Sequence, residues 1–514
     1  AIIAFLALLT RRVLFGTVVA AGITATVVGA AKVKLALMDM LVHAYDLFFY
    51  FNSLSTFSYL ADAYPGPTYG LFAMLGATAL LGIAVFVYDG ARVRRLTALC
   101  AFAVFSLVAW AGIESTGQRR HMHLYYNDRY LSTFYSSWPE TLNTLWQGTM
   151  LAAAPRAPGM PFGGIGSCMT ATKKPHIILI HQESMVPPSI FPGLQFDKSV
   201  MSLFQSHDGK VHKLRVETFG GASWLTEFSV LAGVSTYSFG SMRQFVQAFM
   251  EGKVRETIPQ VMEACGYRNV LFYPMMTNFV SNARFYESIG LREIFDMKKQ
   301  NAPSIAERDR FYYANALDEI GRHVGSSQKP LFTFVQTMSG HWPYDYAKFP
   351  EMDVPGGPKG AHPEIHEYLR RIAVAAKDYA WLKDELKRRF PAESFVIMSY
   401  GDHQAGATRS LVGVPMETEI EDVKLRADSA GYISYYSIET QNWKAPPMAP
   451  MQVLDVPYIG LALLEAARLP LSDAYRERKR LMYQCNGRYH SCVDEGAILG
   501  FHRRLIDSGL IDSR

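Results

Sequence analysis

Three long runs without a charged side chain crowd the start of this chain: Val13–Ala30, Thr68–Tyr88 and Leu96–Ile113, of 18, 21 and 18 residues. A helix needs about 20 apolar residues to cross the hydrocarbon of a bilayer, so each run qualifies as a span. One such run could be a buried helix of a soluble protein, but three within the first 114 residues weigh heavily against that. Ala1–Thr10 is apolar too, though short, and no Met precedes it. It reads as the tail of a further span that begins upstream. Arg11 and Arg12 separate the first runs, and Arg92, Arg94 and Arg95 the last two. By the positive-inside tendency both basic loops belong in the cytoplasm, which places residues 31–67 and everything after Ile113 outside. Lys32 and Lys34 lie on the outer side and run against the tendency. Leu35–Phe51, apolar but carrying Asp39, His43 and Asp46, reads as an interfacial helix rather than a span.

The chain has 514 residues, 49% apolar and only 19% charged, which excludes a disordered tail protein and asks for more than one domain. A net charge of +5 is too small to argue for nucleic acid. Residues 115–173 read as a linker with interfacial helices, ending in an Ala-, Pro- and Gly-dense stretch. From Lys174 onward short β-rich runs alternate with helical stretches. The runs are His176–His181, Val211–Val216, Val270–Tyr273, Leu331–Gln336 and Phe395–Ser399. The helix candidates are Val254–Cys265, Ile305–His323, Pro363–Arg389 and Val456–Arg468. This alternation predicts an α/β domain with a largely parallel sheet. The expected organisation is a transmembrane helical domain over 1–114, the linker over 115–173, a catalytic domain over 174–470 and a C-terminal extension over 471–514.

In open α/β sheets chemistry gathers at the carboxyl edge of the strands. Three predicted edges carry suggestive residues: Gln182-Glu183-Ser184, Ser339-Gly340-His341-Trp342-Pro343 and Tyr400-Gly401-Asp402-His403. Between them a glycine pair, Gly220-Gly221, feeds a helix that opens with Ser223. Alone, each is a common loop or cap feature. Together, carboxylates and imidazole suit a divalent metal, and a hydroxyl at a helix N-terminus can be both metal-bound and aimed at a phosphate.

The segments Ile177–Ser184 (IILIHQES), Gly220–Phe228 (GGASWLTEF), Ser339–Tyr344 (SGHWPY) and Tyr400–His403 (YGDH) resemble the extracytoplasmic lipoteichoic acid synthases. They also resemble the periplasmic phosphoglycerol transferases of the sulfatase/alkaline phosphatase superfamily. The resemblance implies an alkaline phosphatase-like α/β domain behind a multi-span helical membrane domain. It implies that Glu183, Asp402 and His403 hold a metal ion, with Ser223 as nucleophile and fourth ligand where the family often has Thr. His341, with Trp342 beside it, would meet the leaving or entering group. Asn282 and Arg284 would stand in for the family's phosphate-binding Trp-Asn-Arg stretch. Manganese is the first choice of ion, with zinc or magnesium as alternatives.

The implied reaction moves a phosphoglycerol group from phosphatidylglycerol, through a phosphoserine, onto an extracytoplasmic glycan. The partners are then a phospholipid donor, a glycan acceptor and the membrane, with no nucleic acid. The implied location is a bacterial inner membrane with the catalytic domain facing the periplasm. Two rivals stand beside this reading: a phosphoethanolamine transferase acting on a glycan or a lipid A-like acceptor, and a metal-dependent phosphodiesterase or sulfatase. The first usually shows a Thr-Ala-Arg-like turn and a Ser-Asp-His-Gly-Glu motif. The second needs a C/S-x-P-x-R element, whereas Ser223 is followed by Trp-Leu-Thr. Of five cysteines, Cys100 lies in a span and is expected as a free, buried thiol. The other four lie outside, so Cys485 is expected to pair with Cys492 and Cys168 with Cys265.

Overall fold

The uncharged runs fold as helices because a chain segment with no water-seeking side chains still has to satisfy every backbone N–H and C=O internally. A computed structural model describes residues 1–38, 40–51, 54–115, 130–147, 151–156, 159–163, 168, 173–277, 282–351, 362–413 and 427–512. The chain divides into two compact units, Ala1–Gly148 and Thr149–Pro415 with Asp422–Arg514. In the first, Val13–Ala36, Pro65–Tyr88 and Arg95–Gly112 are long and apolar enough to cross a membrane. Gly22 lets two of them approach closely, since a Cβ there would sit 2.1 Å from Thr78 Cγ2. The two basic loops meet at one end: Val93 N–H donates to Arg11 O (2.9 Å), and the Arg12 guanidinium reaches the carbonyl of Asp89.

Residues 35–51 do not form one helix. The helix that starts at Val13 runs on to Met38, and a separate short helix starts at Ala44. His43 caps it, accepting the Tyr45 N–H at 3.1 Å while Asp46 accepts the His43 N–H at 2.7 Å. Lys34, the basic residue that ran against the expected orientation, is paired with buried Asp46 at 2.7 Å. Helix Tyr130–Gln147 closes the unit by packing Phe134 against Val27, Ala31 and Val42. Cys100 is free but exposed on its helix rather than buried. A span in a small bundle has few protein neighbours, and its outward face is left for lipid.

The second unit is built on an eight-stranded sheet: β1 (His176–Gln182), β2 (His212–Arg215), β3 (Arg268–Phe272), β4 (Glu293–Phe295), β5 (Leu331–Gln336), β6 (Phe395–Gly401), β7 (Ile433–Gln441) and β8 (Val453–Asp455). Their order is β4-β3-β5-β1-β6-β7-β2-β8. The first five in this order are parallel, β7 runs antiparallel to both its neighbours, and β2 and β8 are parallel. The sheet is therefore mixed at one side. Strands β1, β5 and β6 are buried along their whole length, which is why they read as continuous apolar runs. Helices Asp309–Ser326 and Pro363–Arg389 pack together over a core that includes Ile178, Leu317, Ile372 and Ile397. Three of the four predicted helices differ from the expected bounds, most at their starts. Ile258–Ala264 and Asp309–Ser326 begin four residues later than expected, and Val456–Tyr458 is a tighter turn before Ile459–Ala466. The C-terminal helices Asp473–Gln484 and Glu495–Asp507 belong to this unit, tied to it by Ser472 Oγ donating to Glu256 at 2.9 Å. Both expected disulfides, Cys168–Cys265 and Cys485–Cys492, are formed.

Candidate active site

Strands β1 and β6 are parallel neighbours in register, Gln182 opposite Gly401, so the residues just past them meet at one edge. Glu183 follows β1 and Asp402-His403 follows β6. The crossing is tight: a Cβ at Gly401 would lie 2.0 Å from Met185 O, and one at Gly340 would lie 2.1 Å from Glu183 O. Only glycine permits either approach, and the second brings the His341 loop against the backbone of Glu183.

Ser223 is the first residue of helix Ser223–Ala232, behind Ala222 in a left-handed conformation (φ 62°). The preceding turn is held by Gly220 N–H donating to Gln404 O at 2.9 Å. Ser223 Oγ then donates to Glu183 Oε2 at 2.9 Å and lies 3.3 Å from His403 Nε2. His403 Nε2 is 3.5 Å from Glu183 Oε1 and 3.3 Å from Asp402 Oδ2. Its Nδ1 is turned to the Gln404 carbonyl at 2.9 Å, which leaves the Nε2 lone pair facing the cluster. The four residues Glu183, Ser223, Asp402 and His403 thus converge, as the motifs require.

These donors fit a divalent cation. Two carboxylates are buried together, Glu183 at 6% exposure and Asp402 at 0%. Among the described residues their ion-pair partners within 4 Å are histidines alone. Uncompensated buried negative charge is costly, and a bound cation removes the cost. Oxygen donors with one or two imidazoles suit manganese, zinc or magnesium. His181, Glu183 and Asp402 also place ligand atoms within 4.8 Å of one another. Burial opposes the Asp402 carboxylate, yet His403 and His181 outweigh it and hold its pKa well below the usual carboxylate range.

Sequence reasoning missed His181. A lone histidine inside an apolar strand looks structural, but it stands two residues before Glu183, and side chains at that spacing share a face. Thr226, the rival hydroxyl, is fully buried and donates to the Asp402 carbonyl at 2.7 Å. Glu227 is buried behind it, accepts from Gln336 at 2.8 Å, and burial pushes its carboxyl up to about 7.

His341 stacks on Trp342, ring centroids 6.3 Å apart, and Trp342 is 52% exposed. His341 Nδ1 lies 2.7 Å from the Trp342 carbonyl. Arg284 does not join the cluster: it is half exposed and paired with Glu251 at 3.0 Å. Asn282 opens helix Asn282–Ser288; its side chain, like residues 278–281, lies outside the described residues.

Residues 214–433 match the sulfatase family model. The stretch lies wholly in the larger unit's part of the chain or in the short segment it encloses, and covers less than half of the 514 residues. The match takes in Ser223, His341, Asp402 and His403 and begins after β1 with Glu183. The larger unit is similar in fold to a Streptococcus pyogenes phosphoglycerol transferase, GacH, solved with sn-glycerol-1-phosphate. The TM-score is 0.51 at 14% identity, covering 69% of this chain and 88% of that one. In sequence, the chain is 23% identical over 322 residues to an uncharacterized protein of Haemophilus influenzae, covering 60% of this chain and 56% of the relative. It is 24% identical over 371 residues to a Rhizobium meliloti protein provisionally named for cyclic beta-1,2-glucan modification, covering 66% of this chain and 55% of the relative. The chain thus spans about half the length of the curated relatives it matches.

Proposed function

We propose that this chain is a membrane-bound phosphoglycerol transferase whose nucleophile is Ser223. The observation that carries the reading is the meeting of Ser223 Oγ with Glu183 Oε2 at 2.9 Å and His403 Nε2 at 3.3 Å beside buried Asp402. Glu183, Ser223, Asp402 and His403 would hold one divalent cation, manganese before zinc or magnesium. When bound, it would supply positive charge that eases loss of the serine proton and balances phosphoryl oxygens.

The chain's own residues account for the rest. Ser223 opens a helix of 10 residues, so backbone N–H groups and the positive end of the helix face an incoming phosphodiester. Its hydroxyl proton already points at Glu183, the acceptor for that proton as Oγ bonds to phosphorus. The phosphorus bond to the diacylglycerol oxygen breaks in the same step, and that oxygen leaves as diacylglycerol once protonated, a proton we assign to His341 as donor. A glycan hydroxyl then attacks the phosphoserine, and the Ser223 oxygen recovers a proton as phosphoglycerol departs. The three apolar helices suit a donor held in a membrane, with the larger unit on the outer side. The glycan acceptor draws support from the relative named for glucan modification, and the headgroup from the motif resemblance.

The test is to incubate purified protein with labelled phosphatidylglycerol and, separately, labelled phosphatidylethanolamine. Diacylglycerol release from phosphatidylglycerol is the expected result. Release from phosphatidylethanolamine alone would assign the other headgroup, and release from neither would reject the transferase reading.

A further inference from the structure

We propose that His181 is the positioning residue for Asp402, holding that carboxylate in place for the cation while Tyr400 fixes the imidazole. The inference rests on the metal reading above and adds to it a residue that none of the motifs assigns.

Register places His181 directly opposite Tyr400 in the β1–β6 pair. The two rings meet edge to face, centroids 5.2 Å apart, and both are buried at 2% and 0% exposure. Tyr400 Oη lies 3.0 Å from His181 Nδ1, and His181 Nε2 lies 3.2 Å from Asp402 Oδ2. The carboxylate decides the proton. An ionised Asp402 can only accept, so Nε2 carries hydrogen whichever way the tyrosine hydroxyl turns. That nitrogen therefore has no lone pair for a metal, and His181 acts outside the ligand set.

The rest of the carboxylate is also accounted for. Asp402 Oδ1 accepts the backbone N–H of Ser184 at 2.7 Å and of His403 at 2.8 Å. Oδ2 is left as the oxygen for the cation, and it also faces His403 Nε2 at 3.3 Å. One lone pair of Oδ2 takes the His181 N–H, and the other is then aimed into the cluster. A ligand carboxylate held at both oxygens keeps its direction without the ion, so less ordering is left to be done on binding. Tyr400 completes the chain, because a buried ring with both nitrogens engaged cannot turn.

The experiment compares the purified full chain with His181→Phe and His181→Gln, in detergent, by competing Mn2+ against a fluorescent chelator. Thermal unfolding of the metal-free proteins is followed in parallel. Phenylalanine fills the space without a donor, and manganese should bind about 10–100-fold more weakly. Glutamine can place an N–H where Nε2 stood, and should restore affinity to within a few fold of the unaltered chain. Unchanged manganese affinity in His181→Phe would overturn the inference, including the case where only metal-free unfolding is affected. Equal loss in both variants would also overturn it, since that is the behaviour of a direct ligand. If the unaltered chain takes up no manganese, zinc or magnesium, the metal reading itself fails and this inference falls with it.

Discussion

Ser223 and Thr226 sit three residues apart on one short helix, yet only Ser223 turns its hydroxyl into the carboxylate cluster. Ser223→Ala should abolish diacylglycerol release while changing stability by no more than about 1 kcal/mol, because one partly exposed hydrogen bond is lost. Ser223→Thr should keep part of the activity. Thr226→Val should behave in the opposite way: it strands the buried Asp402 carbonyl, costs about 1–3 kcal/mol, and leaves turnover measurable. Thermal unfolding and turnover on the same preparations check both halves. A second residue-level expectation concerns Asp309, whose carboxyl burial and the nearby Asp378 charge raise from 3.8 to about 6. A raised folded pKa means that the folded protein holds the proton more tightly. The contribution is full below about pH 4 and is lost as pH rises through 6, at most roughly 3 kcal/mol. Asp309→Asn keeps the acceptor for Ser339 N–H, which is 2.9 Å away. It should match the unaltered chain near pH 4 and unfold at higher temperature by pH 7.5. A melting difference independent of pH would refute the assignment. What was legible at this scale is the gathering of Glu183, Ser223, Asp402 and His403, which the motifs marked and the fold brings together. His181 was not marked, because its place beside Asp402 depends on the register with the neighbouring strand.

Among the elements, helix Pro363–Arg389 was legible to both ends, and β5 likewise, since each has a sustained pattern and clear punctuation. Strands β4 and β8 have three residues each, too few for any period to show. In β7, Ser434 through Ile438 is buried on both faces, so the expected alternation is absent. Helix Pro363–Arg389 also shapes the site through Arg371, which is fully buried. Its guanidinium pairs with Glu367 at 2.8 Å and donates to the carbonyls of His341 at 2.5 Å and Pro343 at 2.6 Å. Arg371 therefore braces the His341-Trp342 loop from the helix side, beside Lys348, which donates to the Met338 carbonyl at 2.5 Å. Arg371→Met would strand the carbonyls of His341 and Pro343, while Glu367 keeps Arg370 at 3.1 Å, at a cost of about 1–3 kcal/mol for each stranded carbonyl. Limited proteolysis should then open the chain near residues 340–346 while the β1–β6 core stays protected. Arg371→Lys keeps the charge but loses the fork, so intermediate protection is expected. Equal protection of all three proteins would show that the loop is held by other contacts.

For the molecule as a whole, side of the membrane follows from two independent features. The loops carrying Arg11, Arg12, Arg92, Arg94 and Arg95 meet at one end of the helical unit, so they share a side. Positive-inside bias makes that side the cytoplasm. The larger unit contains two disulfides, which form and persist in oxidising compartments and are rare in the cytosol. Among the described residues one helix long and apolar enough to span, Arg95–Gly112, follows the loop at Asp89, and crossing once it would deliver the rest of the chain to the opposite side. Charge bias and redox chemistry therefore give the same answer from different residues. A reporter that is active only outside, fused after Arg514, should be active. A cysteine introduced at Asp89 should resist an impermeant thiol reagent in intact cells and react once they are opened. Non-reducing peptide mapping should recover Cys485 linked to Cys492 and Cys168 linked to Cys265. Labelling at Asp89 from outside, together with an inactive reporter, would invert the topology. The lipid donor would then have to be reached from the cytoplasmic leaflet, and the glycan acceptor would lose its support.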